Sequence, residues 1–330
     1  MTAALPGFAD LFPEGDGADK GSLFDRYTIP PFSVLDARQG YWQERKKAWM
    51  RLGIESELGR EDGGAGLCYG AFDSDKFKLA TSARANNAAT ASIFDPVLCE
   101  LAYRWFSRPG ARVLDPFAGG SVRGIVAGLL GMDYTGIELR GAQVDANRVQ
   151  ARTICPDALV RWIEGASQNI VAGLPCDPFD VLFSCPPYGD LEVYSDHVDD
   201  LSAMSAGDFA ATYRRIIKAS CDRLAWNRFA VFVVGDYRGK DGMMSDFVGQ
   251  TIHAFQDAGL GLYNQAVFLT PVASAALRVG KQMEVSRKLG KTHQDVLVFV
   301  KGCPRKATAW LGDVSAGEVP RRADDWGGLF

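Results

Sequence analysis

From about residue 92 onward, short strand-like runs alternate with longer stretches whose apolar residues recur three or four apart, the pattern of strands and helices taking turns. The strand-like runs fall at residues 112–115, 133–138, 158–164, 179–184 and 229–235. The last of these, Phe-Ala-Val-Phe-Val-Val-Gly, lacks any polar side chain, as a strand covered on both faces requires. Helical spacing predicts helices over residues 92–106, 121–130, 142–153, 207–224 and 245–258. Two more strands, 263–269 and 295–301, follow one another with no helical pattern between them, which predicts an antiparallel pair at one edge. The expected fold is α/β, a doubly wound, seven-stranded, mostly parallel sheet with a small N-terminal extension.

The periodicity fails upstream. Residues 1–25, rich in Gly, Ala and Asp, read as a loosely ordered arm, and 26–89 as an N-terminal extension in which 60–70 is a linker. Within it, residues 36–52 have helical character and bunch Arg38, Tyr41, Trp42, Arg45, Lys46, Lys47, Trp49 and Arg51. Two readings stand. Interleaved cations and aromatics can lie on phosphates and stack on bases. Alternatively Trp42 and Trp49, seven apart, pack inward while the cations form a solvated face. The main domain runs over 90–302, and 303–330 is a C-terminal tail.

Composition narrows the class. A chain of 330 residues, 47% hydrophobic, can bury a large core, and a formal charge of -4 gives it no global basic field, so any polyanion contact must come from local patches. Seven cysteines (Cys68, Cys99, Cys155, Cys176, Cys185, Cys221, Cys303) show no metal-ligand spacing, and with only His197, His253 and His293 beside them no metal site is expected. They read as thiols of a reducing, cytoplasmic compartment. No apolar stretch approaches the roughly 20 residues that span a bilayer, so no membrane partner is expected.

Two turns carry candidate chemistry. The first strand closes on Asp115-Pro116-Phe117-Ala118-Gly119-Gly120-Ser121, where two glycines let backbone approach a ligand lying across the strand ends. Glu138, followed by Leu139, ends the second strand 23 residues after Asp115, an offset at which an acid accepts hydrogen bonds from ribose hydroxyls. The fourth strand closes on Ser184-Cys185-Pro186-Pro187-Tyr188. Adjacent prolines fix φ and remove two donors, leaving rigidly aimed carbonyl oxygens, and Tyr188 offers an aromatic face.

Together these turns resemble the paired signature of S-adenosylmethionine-dependent DNA amino-methyltransferases of the N4-cytosine/N6-adenine, phage-like type. The resemblance spans roughly residues 90–302, and the segment from Ile29 to Trp42 also looks like one that accompanies phage-type DNA methylases. It implies a Rossmann-like class I methyltransferase fold, S-adenosylmethionine as cofactor, double-stranded DNA as partner, base flipping, and a bacterial or phage-infected host cell. A homodimer is one assembly open to such a chain. By the same resemblance, Asp115 to Ser121 with Glu138 and Leu139 would hold the cofactor. Ala166 and Ser167 would meet its adenine, Phe94 would pack on it, and Asp95 would reach its methionine amine. The family normally continues Ser-Gly where this chain has Gly120-Ser121.

The second turn would present the nitrogen. An exocyclic amine is a poor nucleophile, so it must be held in line and its N–H groups met by preoriented acceptors. Relatives place Asp, Asn or Ser before the two prolines; this chain has Cys185, a weak acceptor and donor. The thiol can stand in for a serine hydroxyl beside backbone carbonyls, or Ser184, Asp190 or Glu192 can supply the acceptor. Attack of Cys185 on carbon 6 of a pyrimidine belongs to enzymes with Cys after the proline, and an ordinary buried cysteine is the plain alternative. Only about 65 residues separate the turns, so recognition falls to residues 1–91, to the loop after Tyr188, or to the basic loop 270–294 with Arg278, Lys281, Arg287, Lys288 and Lys291. Asp236 and Arg238 follow the fifth strand at the same sheet end, where a helix-capping acid and a surface cation are the plain readings.

The resulting expectation is methylation of an exocyclic amino nitrogen of a DNA base, cytosine N4 ahead of adenine N6. The alternatives are an RNA guanine-N2 methyltransferase, or a non-catalytic homologue that binds nucleic acid or protein. A protein-glutamine methyltransferase would carry Asn at position 185.

Overall fold

The computed structural model describes residues 22–55, 93–175, 177–188, 197–239, 241–272, 276–314 and 316–319. Eight strands form one sheet: β1 (Val34–Asp36), β2 (Arg112–Asp115), β3 (Asp133–Glu138), β4 (Val160–Glu164), β5 (Phe179–Ser184), β6 (Leu224–Val234), β7 (Gly261–Leu269) and β8 (His293–Lys301). Their order is β1-β7-β8-β6-β5-β2-β3-β4, and all neighbours pair in parallel except β8, which runs antiparallel to both β6 and β7. The doubly wound α/β sheet is the expected one, with one correction. There are eight strands, not seven, because the short β1 adds to the outside of β7. The expected antiparallel pair is β7 with β8, toward that edge of the sheet.

The extra strand has a physical reason. Val34, Leu35 and Asp36 make too short a run to show alternation, and they become a strand only because β7 offers an unpaired edge. The expected helix over 36–52 accordingly starts later, as α2 (Gly40–Met50). Residues 270–294, expected as a loop, contain a helix (Ala276–Ser286). Leu277 and Val285 on that helix are 85% and 77% exposed, so it has no inward apolar stripe for the sequence to show.

The remaining helices are α1 (Leu23–Tyr27), α3 (Pro96–Phe106), α4 (Val122–Leu129), α5 (Gly141–Ile154), α6 (Ser167–Ile170), α7 (Ala206–Arg223), α8 (Phe247–Asp257) and α10 (Pro304–Leu311), with Ala276–Ser286 as α9. Helix α3 begins where its chemistry directs: Asp95 caps the amides of Val97 and Leu98, and Pro96 occupies a position that needs no N–H. Alternate residues of the central strands face opposite layers. Val181, Phe183, Val231 and Val233 pack with helices α2 to α5 and α10, whereas Leu182, Phe232 and Val234 pack with α7 and α8. No helix among the described residues is long and apolar enough to cross a membrane.

Residues 34–50 share this core. Trp42 and Trp49 are fully buried, Trp42 against Phe268, so the inward reading of that helix holds. Its cations are engaged by acids of α3. Glu100, with no exposed surface, accepts from Arg45 Nε at 2.6 Å, Arg104 Nε at 2.7 Å and Trp49 Nε1 at 2.9 Å, and Lys46 pairs with Asp95 at 3.1 Å.

Burial also sorts the thiols. It pushes Cys221 up to about 12 and Cys155 up to about 11, and raises Cys99 as well. Cys303 sits before α10, where the backbone N–H groups of Lys306 and Arg305 pull its thiol below the ordinary value.

Two outcomes are expected. Glu100→Gln leaves Arg45 and Arg104 without their counter-charge and lowers unfolding free energy by about 3 kcal/mol, measurable by urea titration. Iodoacetamide at pH 7.5 alkylates Cys303 before Cys99, Cys155 or Cys221, as peptide mapping over time will show; earlier labelling of Cys221 would mean that its thiol reaches solvent more readily than its burial allows.

Candidate active site

The site is built around one buried carboxylate. Asp115, at the end of β2, has no exposed surface. Its Oδ2 accepts from Arg123 Nε at 2.6 Å and from the Tyr134 hydroxyl at 2.8 Å, while its Oδ1 accepts from Ser184 Oγ at 2.5 Å and from the amide of Phe117 at 3.2 Å. Such a charge is tolerable in the interior only when its lone pairs are met. Burial works against the charge of Arg123, but Asp115, Tyr134 and Cys185 around it outweigh that, and its pKa stands above the ordinary value. Tyr134, desolvated and beside the carboxylate, is held protonated.

Arg123 also shapes the loop that follows. Its Nη2 donates to the carbonyls of Phe117 (2.6 Å) and Ala118 (2.8 Å), and its guanidinium lies 4.7 Å above the ring of Phe94. The Phe94 ring meets Phe183 edge-on as well, so it forms a wall of the loop's pocket. Gly119 has φ +51°, a conformation that costs little without a Cβ, and its amide donates to Glu138 Oε2 at 3.1 Å. Gly136 on β3 lets the loop come this close: a Cβ there would lie 2.8 Å from that of Ala118. Glu138 is half-buried, and its Oε1 accepts from the amide of Arg140 at 3.0 Å. The Arg140 guanidinium stands beside the same oxygen, its Nε at 3.5 Å.

Other predicted cofactor residues are placed as follows. Pro116 and Ala118 are buried, Gly120 and Leu139 half-buried. Ser121 is buried, its hydroxyl donating to Gln150 Oε1 at 3.0 Å, and the same oxygen accepts the amide of Glu55. Ala166 is buried beside Ser167, whose hydroxyl donates to the carbonyl of Pro116. Asp95 caps α3, accepts from Trp42 Nε1 at 3.2 Å and pairs with Lys46, so its carboxylate is engaged by the protein's own groups. A space of about 10 Å³ lies between Glu55, Ile93, Phe94, Gly120, Val122 and Arg123. A broad depression of about 850 Å³ is bordered by Tyr41, Arg45, Leu52 and Gly317, none of which belongs to either turn.

The acceptor turn is hinged on the same carboxylate. Ser184 is buried, donates to Asp115 and accepts the amide of Phe117 at 3.2 Å, so it ties the two turns together and does not serve as an acceptor facing a substrate. Cys185 is half-buried against the core, and its Sγ lies 3.7 Å from the Tyr188 hydroxyl. Pro186 is buried and Pro187 half-buried. The Tyr188 ring packs on Phe247 at 5.9 Å, and its oxygen accepts from Gln294 Nε2 at 2.5 Å. Asp190 and Glu192 lie outside the described residues.

Asp236 caps α8 by accepting the amide of Val248 at 2.9 Å, and its carbonyl receives Lys291 Nζ at 2.8 Å. Burial lowers the pKa of Lys291, opposed by Asp236 and Asp295. Arg238 is exposed and donates to the carbonyl of Gly242 at 2.9 Å. Arg278, Lys281 and Arg287 are exposed, on or just after α9, and Lys288 is half-buried near Gly242.

Arg123, Tyr134 and Gln294 were not anticipated. A lone arginine in the otherwise apolar run Val122 to Leu130 was the available signal for Arg123, since a cation there needs a buried acid.

No family model and no curated protein matches the chain. Solved structures similar to it include TrmN from Thermus thermophilus (16% identity, TM-score 0.43, covering 63% of this chain and 49% of that one). Others are the [4+2]-cyclase SpnF (14%, 0.45, 82% and 98%) and magnesium protoporphyrin IX methyltransferase (ChlM) from Synechocystis PCC 6803 (10%, 0.41, 78% and 90%). The chain spans about half the length of TrmN. The fold assignment rests on the strand order of the sheet itself.

Removing the guanidinium tests the centre of the site. Arg123→Met leaves Asp115 buried with its counter-charge gone and is expected to lower stability by about 3 to 5 kcal/mol, with Arg123→Lys recovering only part because one ammonium cannot reach the carboxylate and both carbonyls. Thermal and urea unfolding of the two variants read this directly.

Proposed function

We propose that this chain transfers the methyl group of S-adenosylmethionine to an exocyclic amino nitrogen of a DNA base, cytosine N4 ahead of adenine N6, with the base turned out of the duplex. The carrying observation is the 2.5 Å bond from Ser184 to Asp115, which fuses the glycine-bearing loop after β2 with the Pro-Pro-Tyr turn after β5 into one rigid unit. Methyl transfer needs a donor and an acceptor held in fixed register, and adjacent strand ends sharing one buried carboxylate supply it.

The residues present fit the cofactor. The loop at Gly119 brings bare backbone to the strand ends, and Glu138 ends the neighbouring strand, where an acid accepts from ribose hydroxyls. The ring of Phe94 closes one side, and Ser167, after β4, donates to the carbonyl of Pro116 in the loop. When bound, S-adenosylmethionine supplies an electrophilic methyl on a sulfonium. The chain's own work is positioning: Tyr188 gives a face for stacking, and the backbone carbonyl of Cys185 or Pro186 receives one N–H of the amine as nitrogen becomes tetrahedral. Cys185, half-buried beside the Tyr188 hydroxyl, is a minor polar partner. Helix α9 and the residues after it carry Arg278, Lys281, Arg287 and Lys288 at the sheet end where β8 begins, which suits phosphate contact by a chain of net negative charge.

The protein incubated with isotopically labelled S-adenosylmethionine and, separately, unmethylated DNA and mixed RNA is expected to place label in N4-methylcytosine or N6-methyladenine of DNA, read by nucleoside mass spectrometry. Label in RNA guanine alone would move the assignment to RNA, and no label in either polymer would overturn it. Glu138→Ala is expected to weaken S-adenosylmethionine about tenfold or more by calorimetry, the loss of hydrogen bonds to a charged acceptor.

A further inference from the structure

The antiparallel direction of β8 brings its first residues, not its last, to the end of the sheet that carries both turns. Gln294 is one of them. It is half-buried, and its Nε2 donates to the Tyr188 hydroxyl at 2.5 Å. Gly235, just past β6, leaves the space: a Cβ there would lie 3.8 Å from Gln294 Cγ and 3.1 Å from Lys291 Nζ. Lys291 in turn is anchored on the carbonyl of Asp236. The glutamine stem therefore crosses the end of β6 with its amide fixed at one hydrogen.

A primary amide held by one N–H still offers a second N–H and a carbonyl oxygen side by side. Resting on the methyl-transfer reading above, we infer that Gln294 is the specificity-determining residue of the acceptor pocket, reading the amine-bearing edge of the base. Its Oε1 accepts from the exocyclic amine and its free N–H donates to the neighbouring ring nitrogen. On the Watson–Crick edge cytosine and adenine both present that donor-acceptor pair, whereas guanine sets two donors side by side there at N1 and N2, and thymine has no amine. Reading that edge, the amide selects the two bases whose amino group stands beside an unprotonated ring nitrogen on it. It also supplies the side-chain acceptor that Cys185 lacks and that Ser184, turned to Asp115, does not provide.

The full chain, Gln294→Leu and Tyr188→Phe are compared on DNA carrying cytosine or 3-deazacytosine, adenine or 1-deazaadenine, opposite an abasic site that eases extrusion. Binding is read by fluorescence anisotropy without cofactor, transfer by mass spectrometry, and S-adenosylmethionine affinity by calorimetry. Gln294→Leu is expected to lower kcat/KM for DNA by about 30-fold, as loss of a base-reading pair implies, with cofactor affinity and unfolding midpoint unchanged. The deaza base should weaken binding to the unmodified chain about tenfold and make no further difference to Gln294→Leu, a non-additivity that a purely structural role would not produce. Tyr188→Phe should lose part of the same discrimination. Equal transfer by Gln294→Leu, or a deaza penalty that persists in it, overturns the inference while leaving methyl transfer standing. A wild-type chain that labels no DNA base, or only guanine, overturns both.

Discussion

A carboxylate with no exposed surface organises this molecule. Asp115 sits where β2 ends, and an isolated charge there would cost several kcal/mol, so the surrounding chain is arranged to compensate it. The compensation comes from far apart in sequence: a guanidinium of α4, a phenol of β3, a hydroxyl of β5 and an amide of the loop itself. Because each donor is fixed elsewhere, the loop after β2 and the turn after β5 inherit one common geometry. The same guanidinium then spans two loop carbonyls and supports the Phe94 ring, so loss of Asp115 or Arg123 would dissolve the whole strand-end constellation.

A second acid plays the corresponding part for the N-terminal segment. Glu100 gathers Arg45, Arg104 and Trp49 and so seats α2 against α3, which holds Asp95 and Phe94 at the pocket's edge. The cations of α2 that invited a nucleic-acid reading thus divide: Arg45 and Lys46 are drawn into ion pairs with α3, and the tryptophans between them are interior. Basic charge at the sheet end where β8 begins is carried instead by α9 and the residues after it.

Much of this was legible in the chain. The short strand-like runs ending at Asp115, Glu138 and Ser184 mark three strands whose bounds match the structure, since each is closed by a turn and too short for a helix. The turns after β2 and β5 were likewise visible, their glycines and prolines restricting the backbone locally. What escaped notice depends on distance. β1 exists only through its partner β7, α9 exposes its leucine and valine, and Gln294 meets Tyr188 across 106 residues. Asp115, visible as part of a loop, turned out to be an interior keystone, because nothing local announces that Arg123, Tyr134 and Ser184 converge on it.

The reversed direction of β8 has an evolutionary consequence. Because β7 ends and β8 begins at the same end of the sheet, everything between them is a detour whose two feet are clamped by a long antiparallel ladder. A detour of that kind can lengthen, shorten or be exchanged without disturbing strand order, the core layers or the carboxylate at the centre. Evolution can therefore vary this segment while inheriting the sheet unchanged, and an engineer can do the same by grafting between Leu269 and His293.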